Sequence, residues 1–245
     1  MFLLILSGCI ENTTQKTVNP VKLDVKQTPG DSLPDTLTHD HQKTSEDANP
    51  FVNIQEVNSN IWVDLKYRTR DNFMGFPLYD TIQKAYLQKD VADRLGRVQH
   101  YLTKLKPGYH LLVYDAVRPL SVQQEMWDAL DSIPVARRGK FVSNPKNHSI
   151  HNYGAAVDLT IVNEQGIPLD MGAKYDEIGE IAYPSKELMF LEKGLLTQQQ
   201  VANRQLLRKV MAAQKFQNIP SEWWHFNACS RTEAKQRYQI LVHEF

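Results

Sequence analysis

Ser149-Ile150-His151-Asn152-Tyr153-Gly154-Ala155-Ala156-Val157-Asp158-Leu159-Thr160-Ile161-Val162 sets a small, β-branched, apolar run behind a histidine and a glycine. Residues 155–162 predict a buried strand. Asp158 lies inside that strand. An unpaired carboxylate there is costly, and a metal ion is one common remedy. His151 sits on the loop leading in, and Gly154 lets the chain turn or lets another backbone approach closely. A second stretch, Glu222-Trp223-Trp224-His225, supplies another histidine and another carboxylate. Together these fit a catalytic zinc centre, with His151, Asp158 and His225 as ligands and a fourth position left for water. Glu222 is then free to move protons on that water. Glu222 and His225 are three apart and face opposite sides of a regular strand. They serve one site only if Glu222 lies on the turn after Pro220-Ser221. The plainer alternative is a satisfied His–Asp core pair, and Glu-x-x-His alone has many chance matches. The joint occurrence of S-x-H-x-x-G-x-A-x-D and a later E-x-W-H favours the metal.

Outward from this stretch, the chain of 245 residues is 42% hydrophobic, enough for one sizeable core or two small ones. Its 28 basic and 28 acidic residues balance without a block of like charge, which argues against a nucleic-acid or anionic-membrane binder. No stretch approaches the length of a membrane-spanning helix. The first nine residues are apolar and end in Leu6-Ser7-Gly8-Cys9, similar to a bacterial lipoprotein signal box, although no Lys or Arg precedes them. In that reading residues 1–9 are a signal segment, residues 1–8 are removed and Cys9 carries lipid. Residues 10–50 are polar, without period, and read as a disordered tether with a reach of about 35 Å. The expected location is the periplasm or cell envelope, lipid-anchored, or the cytoplasm if the signal reading fails. Cys229, the other cysteine, reads as a buried free thiol, with no disulfide in the fold.

The globular part runs over 51–245. Strands are predicted over 61–67, 109–117 and 155–162, with a last one over 222–227. Helices are predicted over 83–105, 121–132 and 197–216, with one more near the C-terminus. The charged face of the 197–216 helix reads as solvated. The hairpin-like spacing predicts an α+β fold in one domain: a central antiparallel sheet flanked by helices.

The two metal motifs resemble those of the zinc D-alanyl-D-alanine dipeptidases, relatives of the zinc D,D-carboxypeptidases. The likeness extends over about 54–228. Lys66-Tyr67-Arg68-Thr69-Arg70-Asp71-Asn72-Phe73-Met74-Gly75 is similar to K-Y-A-T-x-D-N-F-x-G, Tyr114-Asp115-Ala116-Val117-Arg118-Pro119 to D-x-Y-R-P, and Met171-Gly172-Ala173-Lys174-Tyr175-Asp176 to M-G-x-x-F-D. Val117 stands for a usual Tyr, Tyr175 for a usual Phe and Ile150 for a frequent Ser. The resemblance implies one zinc per chain on His151, Asp158 and His225, with Glu222 as catalytic base and Arg118 steadying the transition state. It implies a small dipeptide as substrate, with Tyr67, Asp115, Ser149 and Asp176 as its binding residues, Asp115 also close to the arginine and Asp176 suited to the free ammonium. Other readings stay open. Arg118 and Asp115 can form a purely structural ion pair, Tyr67 can be plain core, His148 is a rival ligand, and His110 and His243 read as structural or surface. A D,D-carboxypeptidase on peptidoglycan stems needs an open groove; Asp176 and the Glu-Trp-Trp-His form favour the dipeptidase. A non-catalytic zinc- or wall-binding lipoprotein is favoured by a missing base or arginine, and both are here.

Overall fold

Buried apolar character explains the placement of the central strand, Ala156–Val162. Every residue of it is buried, as expected for a strand covered on both faces. We label it β5, and the computed structural model that contains it describes residues 49–245. The expected signal segment and nearly all of the expected tether lie outside the described residues. The described residues all fall within one compact unit.

The other strands are β1 (Phe51–Asn53), β2 (Trp62–Val63), β3 (Tyr86–Gln88), β4 (His110–Asp115), β6 (Gln217–Ile219) and β7 (Glu222–Asn227). The helices are α1 (Ile54–Val57), α2 (Lys89–Leu105), α3 (Leu120–Ala129), α4 (Val135–Arg138), α5 (Glu187–Glu192), α6 (Gln198–Ala212) and α7 (Arg231–Arg237). The main sheet has the order β2-β4-β5-β7-β6, and β1 pairs with β3 in a separate two-stranded sheet. The main sheet is antiparallel except at one edge, where β2 runs parallel to β4. The expected central antiparallel sheet is there, with one parallel pairing added at its β2 edge. Along β5, Val157, Leu159 and Ile161 alternate with Asp158 and Thr160, so the carboxylate faces away from the aliphatic side. Helix α2 packs on β4 and α6 through a stripe of fully buried Val91, Leu95, Val98 and Leu102, the 3.6-residue spacing of an amphipathic helix.

Three boundaries differ from the sequence reading. The 61–67 strand shrinks to Trp62–Val63, followed by a 3-10 turn over Lys66–Arg68. The 83–105 helix begins only at Lys89, because Tyr86–Gln88 is taken by pairing with β1. The 197–216 helix ends at Ala212, and Lys215, at positive φ, turns the chain into β6. Its start holds, with Thr197 and Gln200 forming a reciprocal cap.

Candidate active site

The sheet register assembles the first three groups. Asp115 on β4 pairs with Asp158 on β5, and Asp158 pairs with His225 on β7, so the three lie in one row across the sheet. A bulge at Tyr114 brings Asp115 into that row, since Val113 faces Leu159 and the next pair is Asp115 with Asp158.

His151 comes from the turn before β5. That turn, Ile150–Tyr153, is capped by Ser149, whose hydroxyl accepts from the His151 amide at 3.3 Å, and closes at Gly154. Gly154 has φ +62°, and a Cβ there would lie 2.7 Å from the Phe51 ring, so both the turn and the close approach require glycine. The turn is stitched to the end of β4: Arg118 N donates to His151 O at 3.1 Å and the Asn152 amide donates to Arg118 O at 2.8 Å.

Glu222 is the first residue of β7, directly after Pro220-Ser221. The turn alone does not align it with His225; a bulge does. Asn218 on β6 pairs with Phe226, yet the next pair is Ile219 with Glu222, leaving Trp223–His225 unmatched. The Asn218 amide fills the gap and donates to the carbonyls of Glu222 and His225, each at 2.8 Å. Glu222 Oε2 then lies 3.9 Å from His225 Nδ1.

His151 Nε2, His225 Nδ1 and Asp158 Oδ1 converge. The two nitrogens are 3.1 Å apart, and the oxygen is 3.3 Å from the first and 2.9 Å from the second. Among the described residues these three form the group able to hold a metal. The ring protons decide what can sit there. His151 Nδ1–H donates to Ala116 O at 2.7 Å and His225 Nε2–H to Asn227 Oδ1 at 2.8 Å. That leaves two bare lone pairs facing each other and a carboxylate, which repel unless a cation lies between them. Without a metal a proton must serve: burial resists charging His225, but Asp158 overrides it and lifts the imidazole to about 9. Burial alone would raise Asp158, and His151 and His225 hold it far below the usual carboxylate range. Two neutral imidazole nitrogens and one carboxylate, each oriented by a further hydrogen bond, fit zinc.

A cavity of about 380 Å³ opens onto this triangle and is also lined by Glu222, Arg118, Tyr67, Ser149 and Asp176. The guanidinium carbon of Arg118 lies over the Tyr67 ring, 4.9 Å from its centroid. It donates twice to Asp115 Oδ2, at 3.0 and 2.6 Å, and once to Gln123. Of five guanidinium N–H groups, these bonds use three and leave two without a hydrogen bond to the described residues. Burial weakens its charge, but Asp115 outweighs that and keeps it firmly cationic. Asp115 itself departs from the substrate-binding expectation. It is 0% exposed, spends its other oxygen on the Tyr79 hydroxyl at 2.5 Å and does not line the cavity. The ion-pair reading of Asp115 and Arg118 and the cavity-lining reading of Arg118 hold together.

Asp176, which lines the same cavity, has φ +58°. Its Oδ1 accepts from the Tyr67 hydroxyl at 3.3 Å, while Oδ2 is buried without a partner. Burial, then Asp158, pushes its carboxyl well above the usual range. Burial likewise raises Glu222. His148 is not part of the triangle; its Nδ1 meets the Tyr153 hydroxyl at 3.2 Å. His110 stacks on Trp62. Cys229 is a buried free thiol.

Arg204 on α6 escaped the sequence reading. Far from being solvated, it is 0% exposed, and it donates to Met171 O at 2.6 Å and Ile181 O at 2.9 Å. Asn203 and Gln200 hold Asp170 beside it. Helix α6 thus grips both ends of the segment that carries Tyr175 and Asp176. Nothing in the 3.6-residue pattern marks an arginine that reaches carbonyls more than twenty positions away.

A family model described as D-ala-D-ala dipeptidase matches residues 47–243. The D-alanyl-D-alanine dipeptidase of Escherichia coli (strain K12) is 31% identical over 202 residues, covering 81% of this chain and 93% of its own. That of Synechocystis sp. is 30% identical over 168 residues, covering 58% of this chain and 68% of its own. Among solved structures, a zinc-bound D,D-pentapeptidase of vancomycin resistance covers 64% of this chain and 81% of its own at 14% identity and a TM-score of 0.30. With a match that runs from before β1 to beyond α7 and spans every residue of the cavity, the chain belongs to the D-Ala-D-Ala dipeptidase family.

Proposed function

We propose that this chain is a zinc metallopeptidase that hydrolyses D-Ala-D-Ala or a similar D-configured dipeptide, with one zinc held by His151, Asp158 and His225. The observation that carries the reading is the pair of bare imidazole lone pairs and one carboxylate facing each other beside an uncommitted Glu222. When bound, the ion supplies Lewis acidity toward a peptide carbonyl and toward water. Glu222 takes the proton of the attacking water and returns one to the leaving amine. Arg118 offers its two remaining N–H groups to the oxyanion. The unpartnered Oδ2 of Asp176 accepts the ammonium of the free dipeptide, and Tyr67 holds the other oxygen in place. A buried, unpartnered carboxylate oxygen in the cavity lining suits a substrate that ends in an ammonium, which supports the dipeptidase over a carboxypeptidase on longer stems.

The test is a panel of D,D-, L,L- and mixed dipeptides, with zinc present and chelated. Turnover of the D,D member, lost with chelator and restored by zinc, is expected. Activity indifferent to chelation, or equal on L,L substrates, would sink the reading. We also place residues 51–245 as the catalytic domain, tethered by 10–50 to a lipid on Cys9 at the cell envelope. The run Leu6-Ser7-Gly8-Cys9 and the polar stretch after it support this. Labelled fatty acid should attach to the chain and not to Cys9→Ala.

A further inference from the structure

Tyr175 stands where the family motif has phenylalanine, and its extra hydroxyl reaches the metal triangle. It donates to Asp158 Oδ2 at 3.2 Å, and Arg118 Nη2 lies 3.6 Å from the same oxygen. The other oxygen, Oδ1, faces His225 Nδ1 at 2.9 Å and His151 Nε2 at 3.3 Å. The two oxygens of Asp158 are therefore divided between different tasks. The hydroxyl has little freedom to leave. Its ring packs against Tyr114, Trp224 and Tyr67, with centroids 4.9, 5.5 and 6.2 Å away. A phenol keeps its proton at neutral pH and so remains a donor.

We propose that Tyr175 is a positioning residue that occupies Asp158 Oδ2, keeps Oδ1 turned toward the two imidazoles and thereby tightens zinc binding. The inference rests on His151, Asp158 and His225 being the ligands. A carboxylate free to rotate about its last torsion presents either oxygen, whereas one pinned by a phenol and flanked by a guanidinium presents one. Outer hydrogen bonds to ligating groups typically change metal affinity 10–100-fold.

The experiment uses the full chain and Tyr175→Phe, which keeps the ring and removes one oxygen. Zinc affinity is read by competition with a chromophoric chelator, and the ligand field by the visible absorption of the cobalt-substituted protein. The expected result is a zinc Kd raised about 10-fold or more, an altered cobalt spectrum, unchanged 1:1 stoichiometry and a metal-free melting temperature close to that of the parent. Equal zinc affinity with an unchanged cobalt spectrum overturns the proposal. His151→Ala separates the two levels. If it binds zinc as tightly as the parent, the ligand assignment falls and the inference with it. If His151→Ala loses zinc while Tyr175→Phe does not, the inference alone falls.

Discussion

At the scale of the residue, Glu222 and Arg118 share a cavity but differ in what they can contribute. Glu222 has a carboxylate raised by burial in the cavity wall, with His225 pulling it down and Asp158 pushing it up. It acts as a base only when ionised, so activity should rise with pH as the Glu222 carboxyl loses its proton. Glu222→Gln should keep the zinc and lower kcat about 10²–10⁴-fold, and the rate should lose its acid limb. Arg118→Ala should lower kcat about 10²–10³-fold with that limb in place. Zinc content, kcat and a pH–rate profile on the best D,D-dipeptide check both; near-normal turnover by the Gln variant would move the proton carrier elsewhere. The converging group was legible in the sequence because its chemistry is local: a carboxylate inside an apolar strand, and a histidine just ahead of a glycine. The place of Asp115 was not. That it bonds Arg118 from outside the cavity lining follows from a bulge at Tyr114 that no residue type announces.

At the scale of the element, β7 works because it is irregular. Its Glu222 and His225 meet one site only while Trp223–His225 bulge away from β6, and the Asn218 amide holds that bulge through two carbonyls at 2.8 Å. Asn218→Ala removes the donor and leaves those carbonyls short of a partner, at about 1–3 kcal/mol, or roughly 2–4 °C of melting temperature per kcal/mol for a chain of this size. Asn218→Asp should be worse, since it turns an acceptor toward acceptors. Thermal melts and kcat for the three proteins test this, and an Asp variant as stable and active as the parent would refute it. The sequence reading saw the strand over 222–227 correctly and stated that a regular strand would part the two side chains. It lacked β6, whose three residues fall between the expected helix, ending at 216, and the expected strand, beginning at 222. It also lacked Arg204, because a helix face full of Gln, Asn and Arg carries no sign of being buried against a loop's carbonyls.

At the scale of the whole molecule, the C-terminal end of the domain closes over its beginning. The Glu244 carboxylate accepts from Asp80 N, Thr81 N, the Thr81 hydroxyl and Ile82 N, and Phe245 packs edge-on to Phe51 and Tyr86. Burial raises the Glu244 carboxyl, but these donors outweigh it and hold it below its ordinary 4.5. A depressed pKa contributes stability that is present above the unfolded value and lost as pH falls through the folded one. Glu244→Gln should therefore cost about 1 kcal/mol at pH 7, and the gap to the parent should close below about pH 4.5. Chemical denaturation at several pH values reads the sign directly; a gap that widens toward acid would contradict it. The α+β class was legible from spacing alone, whereas the parallel edge of β2 was not, since a two-residue strand leaves almost no pattern. The row of Asp158 and His225 has a consequence for motion. A metal bridging two neighbouring strands in the middle of a sheet must be released before those strands can part. Loading with zinc should then slow amide hydrogen exchange along β5 and β7 in proportion to free metal over its Kd, while β1 and β3, joined in a sheet of their own, keep their pace.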